Sequence, residues 1–87
     1  MITWDAEKNE KLKRERGVSF EEIKQLLLAG NYIDSIKNPS RPNQMIFILV
    51  VREYTYVVPY VVGTDGNVFL KIAYQSRKYH KKRNKHI

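Results

Sequence analysis

An α+β domain is what this sequence predicts: two N-terminal helices packed on one face of a mainly antiparallel sheet of about four strands. Three observations carry that expectation. The two long helix signals come first and strand-like runs follow, the order that separates α+β from α/β architectures. The 87 residues contain no internal repeat and no linker-like stretch, so residues 1–87 should form one domain. A chain of this size buries on the order of 60–65% of its unfolded surface, and 43% hydrophobic content is that of a globular chain.

Each element has a local signal. Ile2–Trp4 is a short strand candidate or an extended lead-in. Asp5 suits the N-cap of a helix over Ala6–Arg16, with Glu7 near the positive end of its dipole. Glu7/Lys11 and Glu10/Arg14 are favourable pairs one turn apart. Ala6 and Leu12 are nearly all of its apolar surface, so this helix should touch the core along a narrow stripe. Gly17 fits the left-handed residue that ends it. In Val18-Ser19-Phe20-Glu21-Glu22-Ile23, Ser19 and Glu22 have capping-box spacing, and Val18 and Ile23 that of a hydrophobic staple. A second helix then runs to about Ala29 with Phe20, Ile23, Leu26 and Leu27 on its buried face, and Gly30-Asn31 stops it.

The strand region reads in the same way. Tyr32–Ile36 alternates apolar and polar residues, and Lys37–Gln44, with two prolines, is a loop. Met45–Val51 is an unbroken apolar run, as for a central strand covered on both faces. Arg52-Glu53 must turn the chain, although neither is a strong turn former. Tyr54–Val62 returns as a strand in which Pro59 predicts an edge position or a bulge. Asp65-Gly66 is a favoured hairpin pair, and Val68–Tyr74 is the last strand. Its alternation puts Val68, Leu70, Ile72 and Tyr74 on one face, which can be buried, and Phe69, Lys71 and Ala73 on the other. Ser76 can cap a short helix or turn through Lys82, and the basic segment 79–87 is expected to be mobile. The sheet face away from the two helices should stay partly open, with Lys71 projecting there near Arg77 and Lys78.

The net charge of +7 is unevenly spread. Residues 1–44 carry eight basic and seven acidic side chains, whereas residues 45–87 carry eight basic and two acidic ones. Such asymmetry points to a polyanionic partner, nucleic acid or acidic protein, or else to a solvated tail that maintains solubility. The chain has no cysteine, which excludes disulfides and thiolate metal sites. Both histidines lie near the C-terminal end, so no metal site and no cofactor is expected. No apolar run suits a signal peptide or a membrane span, which sets the expectation of a cytoplasmic protein with no membrane partner.

Several segments together resemble the BrnT family of type II toxins, small ribonucleases with a RelE-like fold. They are Trp4-Asp5 with Lys8-Asn9; Arg16-Gly17-Val18-Ser19-Phe20-Glu21-Glu22; Pro42-Asn43-Gln44; Tyr56-Val57-Val58-Pro59-Tyr60; Phe69-Leu70-Lys71; and Ser76-Arg77-Lys78. The match spans most of the chain in the right order. The resemblance implies a single BrnT/RelE-like toxin domain that inhibits translation by cleaving RNA and is neutralised by a cognate antitoxin, often a ribbon-helix-helix protein. It also implies that the toxin–antitoxin complex binds operator DNA. Arg16 stands where many members have His, so a base at that position is not carried over, although Arg16 can hold a phosphate. The chain also reads Gln-Ser-Arg-Lys-Tyr-His where members often continue Ser-Ala-Arg-Lys-Ala-Thr.

Metal-free RNA cleavage uses the 2′-OH as nucleophile and needs a base, a cation for the phosphorane and an acid for the leaving oxygen. Arg77 is the first candidate, as phosphorane stabiliser, because its guanidinium fork matches phosphate oxygens. Lys71 is the second, as base or as a charge that binds. His80 is the third, since imidazole is the side chain whose ordinary titration suits acid–base work. Arg16, Arg52, Lys78, Lys81 and Lys82 are candidate phosphate contacts, and for Arg52 an ion pair with Glu53 or another neighbour is the alternative. Tyr54, Tyr56, Tyr60 and Tyr74 can stack on splayed bases or pack the core, with at least two of the four expected in the core and Tyr74 taken as an RNA contact. The function reading is a ribonuclease toxin. Its alternatives are a non-catalytic RNA- or DNA-binding module, or a degenerate toxin that acts only through protein partners.

Overall fold

The computed structural model describes the backbone of residues 1–84 and the side chains of residues 1–82. Its elements are β1 (Ile2–Trp4), α1 (Ala6–Arg16), α2 (Phe20–Leu28), β2 (Asp34–Lys37), β3 (Met45–Val51), β4 (Tyr54–Val62), β5 (Val68–Leu70), β6 (Tyr74–Gln75) and α3 (Arg77–Asn84). The class is α+β. The sheet has six strands rather than about four, in the order β1-β5-β4-β3-β2, with β6 pairing β4 beside β5. All ladders are antiparallel except β1 with β5.

The helix ends follow their caps. Asp5 Oδ1 accepts the Glu7 and Lys8 amides at 2.8 and 3.2 Å, and Gly17 ends α1 at φ 69°. Ser19 Oγ accepts the Glu22 amide at 3.1 Å, the first half of the capping box. The reciprocal half is replaced, because the Glu22 carboxylate is held by Arg52 instead. One helix contact was not foreseen. Asn9 is buried in α1, where its Oδ1 accepts the Phe20 amide at 2.8 Å and its Nδ2 donates to Glu21 at 2.8 Å. It satisfies one of the orphan donors at the start of α2 and locks the two helices together.

The main core lies between these helices and one sheet face. Leu12, Phe20, Ile23 and Leu27 pack on Leu49, Val51, Tyr56, Val58, Tyr60, Leu70 and Ala73. A smaller core on the opposite face groups Ile46, Ile48 and Val57 under Ile36 and Tyr79. That face is therefore covered in part by α3, which runs on from Ser76 through most of the segment expected to be mobile. Residues 85–87 of that segment lie outside the described residues.

Pro59 is in neither an edge strand nor a bulge of its own strand. β4 is flanked by β3 on one side and by β5 and β6 on the other. The irregularity is in the neighbour. Leu70 pairs Tyr60 and Tyr74 pairs Val57, so three residues, Lys71, Ile72 and Ala73, face two, Val58 and Pro59. The Pro59 carbonyl accepts the Lys71 amide at 2.8 Å, which puts its amide position on the same side. Proline has no N–H to give there, and the ladder breaks opposite it with one extra residue. The extra residue corrects the expected alternation of the last strand. Val68 and Leu70 do point to the helices, but so does buried Ala73, while Ile72 is 47% exposed. Tyr74 shares a face with Val57, away from the helices.

Candidate nucleic-acid interface

The α3 sequence Arg-Lys-Tyr-His-Lys-Lys-Arg-Asn has five cations and no acid. Arg77/Lys81 and Lys78/Lys82 are like-charge pairs one turn apart, which destabilise an isolated helix. Other contacts hold it. Ser76, buried, accepts the Tyr79 amide on Oγ at 3.3 Å and the His80 amide on its carbonyl at 3.0 Å. Tyr79 packs on the smaller core, and the ammonium groups of Lys78 and Lys82 lie 5.3 and 5.6 Å from its ring centre. A cation over an aromatic face keeps its charge available at the surface while its stem is ordered.

His80 is built into the fold. Its ring stacks on Tyr54 at 4.1 Å, and Nδ1 lies 3.4 Å from the Thr55 amide and 3.2 Å from the Thr55 hydroxyl. An amide N–H can only donate, so Nδ1 accepts, and the neutral ring carries its proton on Nε2.

Lys71 lies in the bulge, with its ammonium 5.2 Å from the Phe69 ring centre. Because Leu70 points to the helices, Phe69 and Lys71 project from the opposite face, the face that Tyr74 also joins. Tyr74, Ser76, Lys78 and Tyr79 then line one groove of about 220 Å³ with Ile46, Val57 and the loop residues Asn38, Pro39 and Ser40. In that loop the Asn38 side chain accepts the Ser40 amide at 3.0 Å, an Asx turn that shapes the groove wall. Arg77, Lys81 and Lys82 are exposed along the same helix.

Two candidate phosphate contacts are set apart. Arg16 lines a different cavity, of about 240 Å³, between α1 and the bulge, with Lys8, Lys11, Glu15 and Ile72. Arg52 reaches from the β3–β4 turn to the helix side, where it donates to the Gly17 carbonyl at 2.7 Å and to both Glu22 oxygens at 2.9 and 3.1 Å. The ion-pair alternative for Arg52 is what the geometry contains, with Glu22 as partner.

The tyrosines also separate. Tyr56 and Tyr60 are buried in the main core, Tyr60 stacked on Phe47 at 4.0 Å, and Tyr54 is taken by His80. Tyr74 is the exposed one of the four, at 38%. The loop contribution was invisible along the chain, since Asn38–Ser40 lies far from Tyr74 in sequence and only strand pairing brings the two together. Among the described residues no three His, Asp or Glu side chains form a group that would hold a metal ion, and no helix is long and apolar enough to cross a membrane. No family model, curated protein or solved structure matches the chain.

Proposed function

We infer that the protein grips RNA phosphates with α3 and the adjoining sheet face, as a ribonuclease toxin of a type II toxin–antitoxin pair. The observation that carries the binding half is α3 itself: five cations without an acid, on a helix anchored by Ser76 and Tyr79 rather than by its own charge pattern. A helix that keeps like charges together at a cost in stability is suited to a polyanion. Cleavage and neutralisation by an antitoxin rest on the resemblance in sequence. In that reading Arg77, exposed in the first turn of α3, stabilises the phosphorane, and Lys71 or His80 moves a proton.

The test is cleavage of total RNA by the purified protein without added metal, beside Arg77→Ala and Lys71→Ala. Cleavage that falls by about 100-fold in the Arg77 variant supports a phosphorane stabiliser. Intact RNA bound in a salt-sensitive manner favours the second reading, a non-catalytic RNA-binding module. One observation supports that alternative. Of the two ring nitrogens of His80, Nδ1 is already engaged by Thr55.

A further inference from the structure

We propose that the groove between Tyr74, Lys78 and the Asn38–Ser40 loop is a subsite for one unpaired nucleobase, so that the protein takes single-stranded rather than duplex RNA. The proposal rests on the reading of this face as an RNA-binding surface and adds what that surface selects.

The argument begins with ring partners. Trp4 stacks on Phe20, Phe47 on Tyr60 and Tyr54 on His80, while Tyr32 meets Phe47 edge-on. Phe69 and Tyr79 carry lysine ammonium groups, and buried Tyr56 accepts from Gln75 on its hydroxyl. Among the described residues Tyr74 is the aromatic side chain with no ring, cation or hydrogen-bond partner, and it is more than a third exposed. The bulge opposite Pro59 is what turns it to this face, beside Val57. An unpartnered ring in a groove that Lys78 also lines is a stacking platform for a base.

Size and polarity narrow the occupant. At about 220 Å³ the groove is smaller than the roughly 300–1,000 Å³ of pockets for drug-sized ligands, which suits a base and its sugar better than a cofactor. Its walls divide by chemistry. Pro39, Ile46 and Val57 are apolar, Ser40 carries a hydroxyl with no protein partner among the described residues, and Lys78 supplies the charge for the adjoining phosphate. A paired base keeps its faces stacked in the helix and cannot enter such a groove, whereas a splayed base can.

The experiment is fluorescence anisotropy at fixed salt with three labelled probes: a short single-stranded RNA, the same strand with abasic sites, and a blunt RNA duplex. Tyr74→Ala should weaken the single strand by about 5- to 100-fold, the range for one base–aromatic stack, with little effect on the abasic strand or the duplex. Tyr74→Phe should retain the wild-type affinity. Lys78→Ala should weaken all three probes. Equal binding of all three probes by the wild type, with Tyr74→Ala neutral, overturns the subsite and leaves a phosphate-gripping face. A wild type that binds none of the three overturns the RNA reading, and the subsite falls with it. Circular dichroism of Tyr74→Ala separates a lost stack from a lost fold.

Discussion

Asn9 and Arg52 each tie a backbone group and a carboxylate across the α1–α2 junction, and their substitutions should differ in kind. Asn9 is buried, so Asn9→Ala strands the Phe20 amide without water and should cost about 1–3 kcal/mol in urea unfolding. It should also move Glu21. The Asn9 amide, its largest influence, together with a backbone hydrogen bond and nearby Lys13, holds the Glu21 carboxyl below its ordinary 4.5. A depressed carboxyl contributes stability that is complete above its unfolded pKa and is lost as pH falls through the folded value. The gap between wild type and Asn9→Ala should therefore be full at neutral pH and narrow in acid, while Glu21 in the variant titrates nearer 4.5 by NMR. Arg52 is more than half exposed, so Arg52→Ala should cost only about 1 kcal/mol, from a solvent-screened ion pair and one hydrogen bond. Its neighbour offers a gain. Arg52 and Glu53 both have positive φ, 49° and 71°, in a two-residue hairpin turn that ordinarily takes Asn-Gly. Glu53→Gly should raise the urea midpoint, by an amount equivalent to about 0.5–1 kcal/mol, because glycine adopts that backbone without a Cβ penalty.

The last strand is where element-level reasoning failed, and it yields the sharpest mutational contrast. Plain alternation puts Leu70 and Ile72 in the same core; the bulge puts Leu70 inside and Ile72 at the mouth of a cavity. Leu70→Ala should cost about 2–5 kcal/mol, and Ile72→Ser under about 1 kcal/mol, in the same unfolding assay. The reason for the failure is physical. Pro59 announces a missing donor, but which residue faces that gap depends on the register of a strand that begins nearly ten residues later. Where the signal is local, the reading holds closely: Asp5 and Gly17 bound α1, Ser19 opens α2, and the apolar runs delimit β3 and β4 to the residue. Partnerships at long separation were out of reach. β1 lies parallel to β5, with Thr3 beside Phe69, and no property of Ile2-Thr3-Trp4 names that partner. The interface divides in the same way. Tyr74 and Lys78 are near one another in sequence and so were legible together, whereas Tyr79 and the Asn38–Ser40 wall were not. Arg52 could be seen as a cation, but its capture by Glu22 requires the folded junction of three elements.

At the scale of the molecule, charge and core are arranged on opposite terms. The helices α1 and α2 cover the larger core and carry most of the acids, while the opposite face combines Lys71 and Tyr74 with Arg77, Lys78, Lys81 and Lys82 of α3. If phosphates bind there, affinity for single-stranded RNA should fall with log salt by a slope near 0.7 per neutralised phosphate, and Arg77→Ala or Lys78→Ala should each reduce that slope by about one contact. Arg52→Ala, on the helix side, should leave the slope unchanged. The second core adds a consequence of its own. Ile46, Ile48 and Val57 are roofed by Tyr79, and Tyr79 is carried by a helix whose like charges push it apart. Whatever neutralises those charges also fastens the roof. A polyanion that binds there would be a folding ligand in the thermodynamic sense: its binding free energy would appear as extra resistance to heat, growing with the logarithm of its concentration. The melting temperature of this protein should accordingly be a property of the solution around it, highest where nucleic acid is abundant and salt is low.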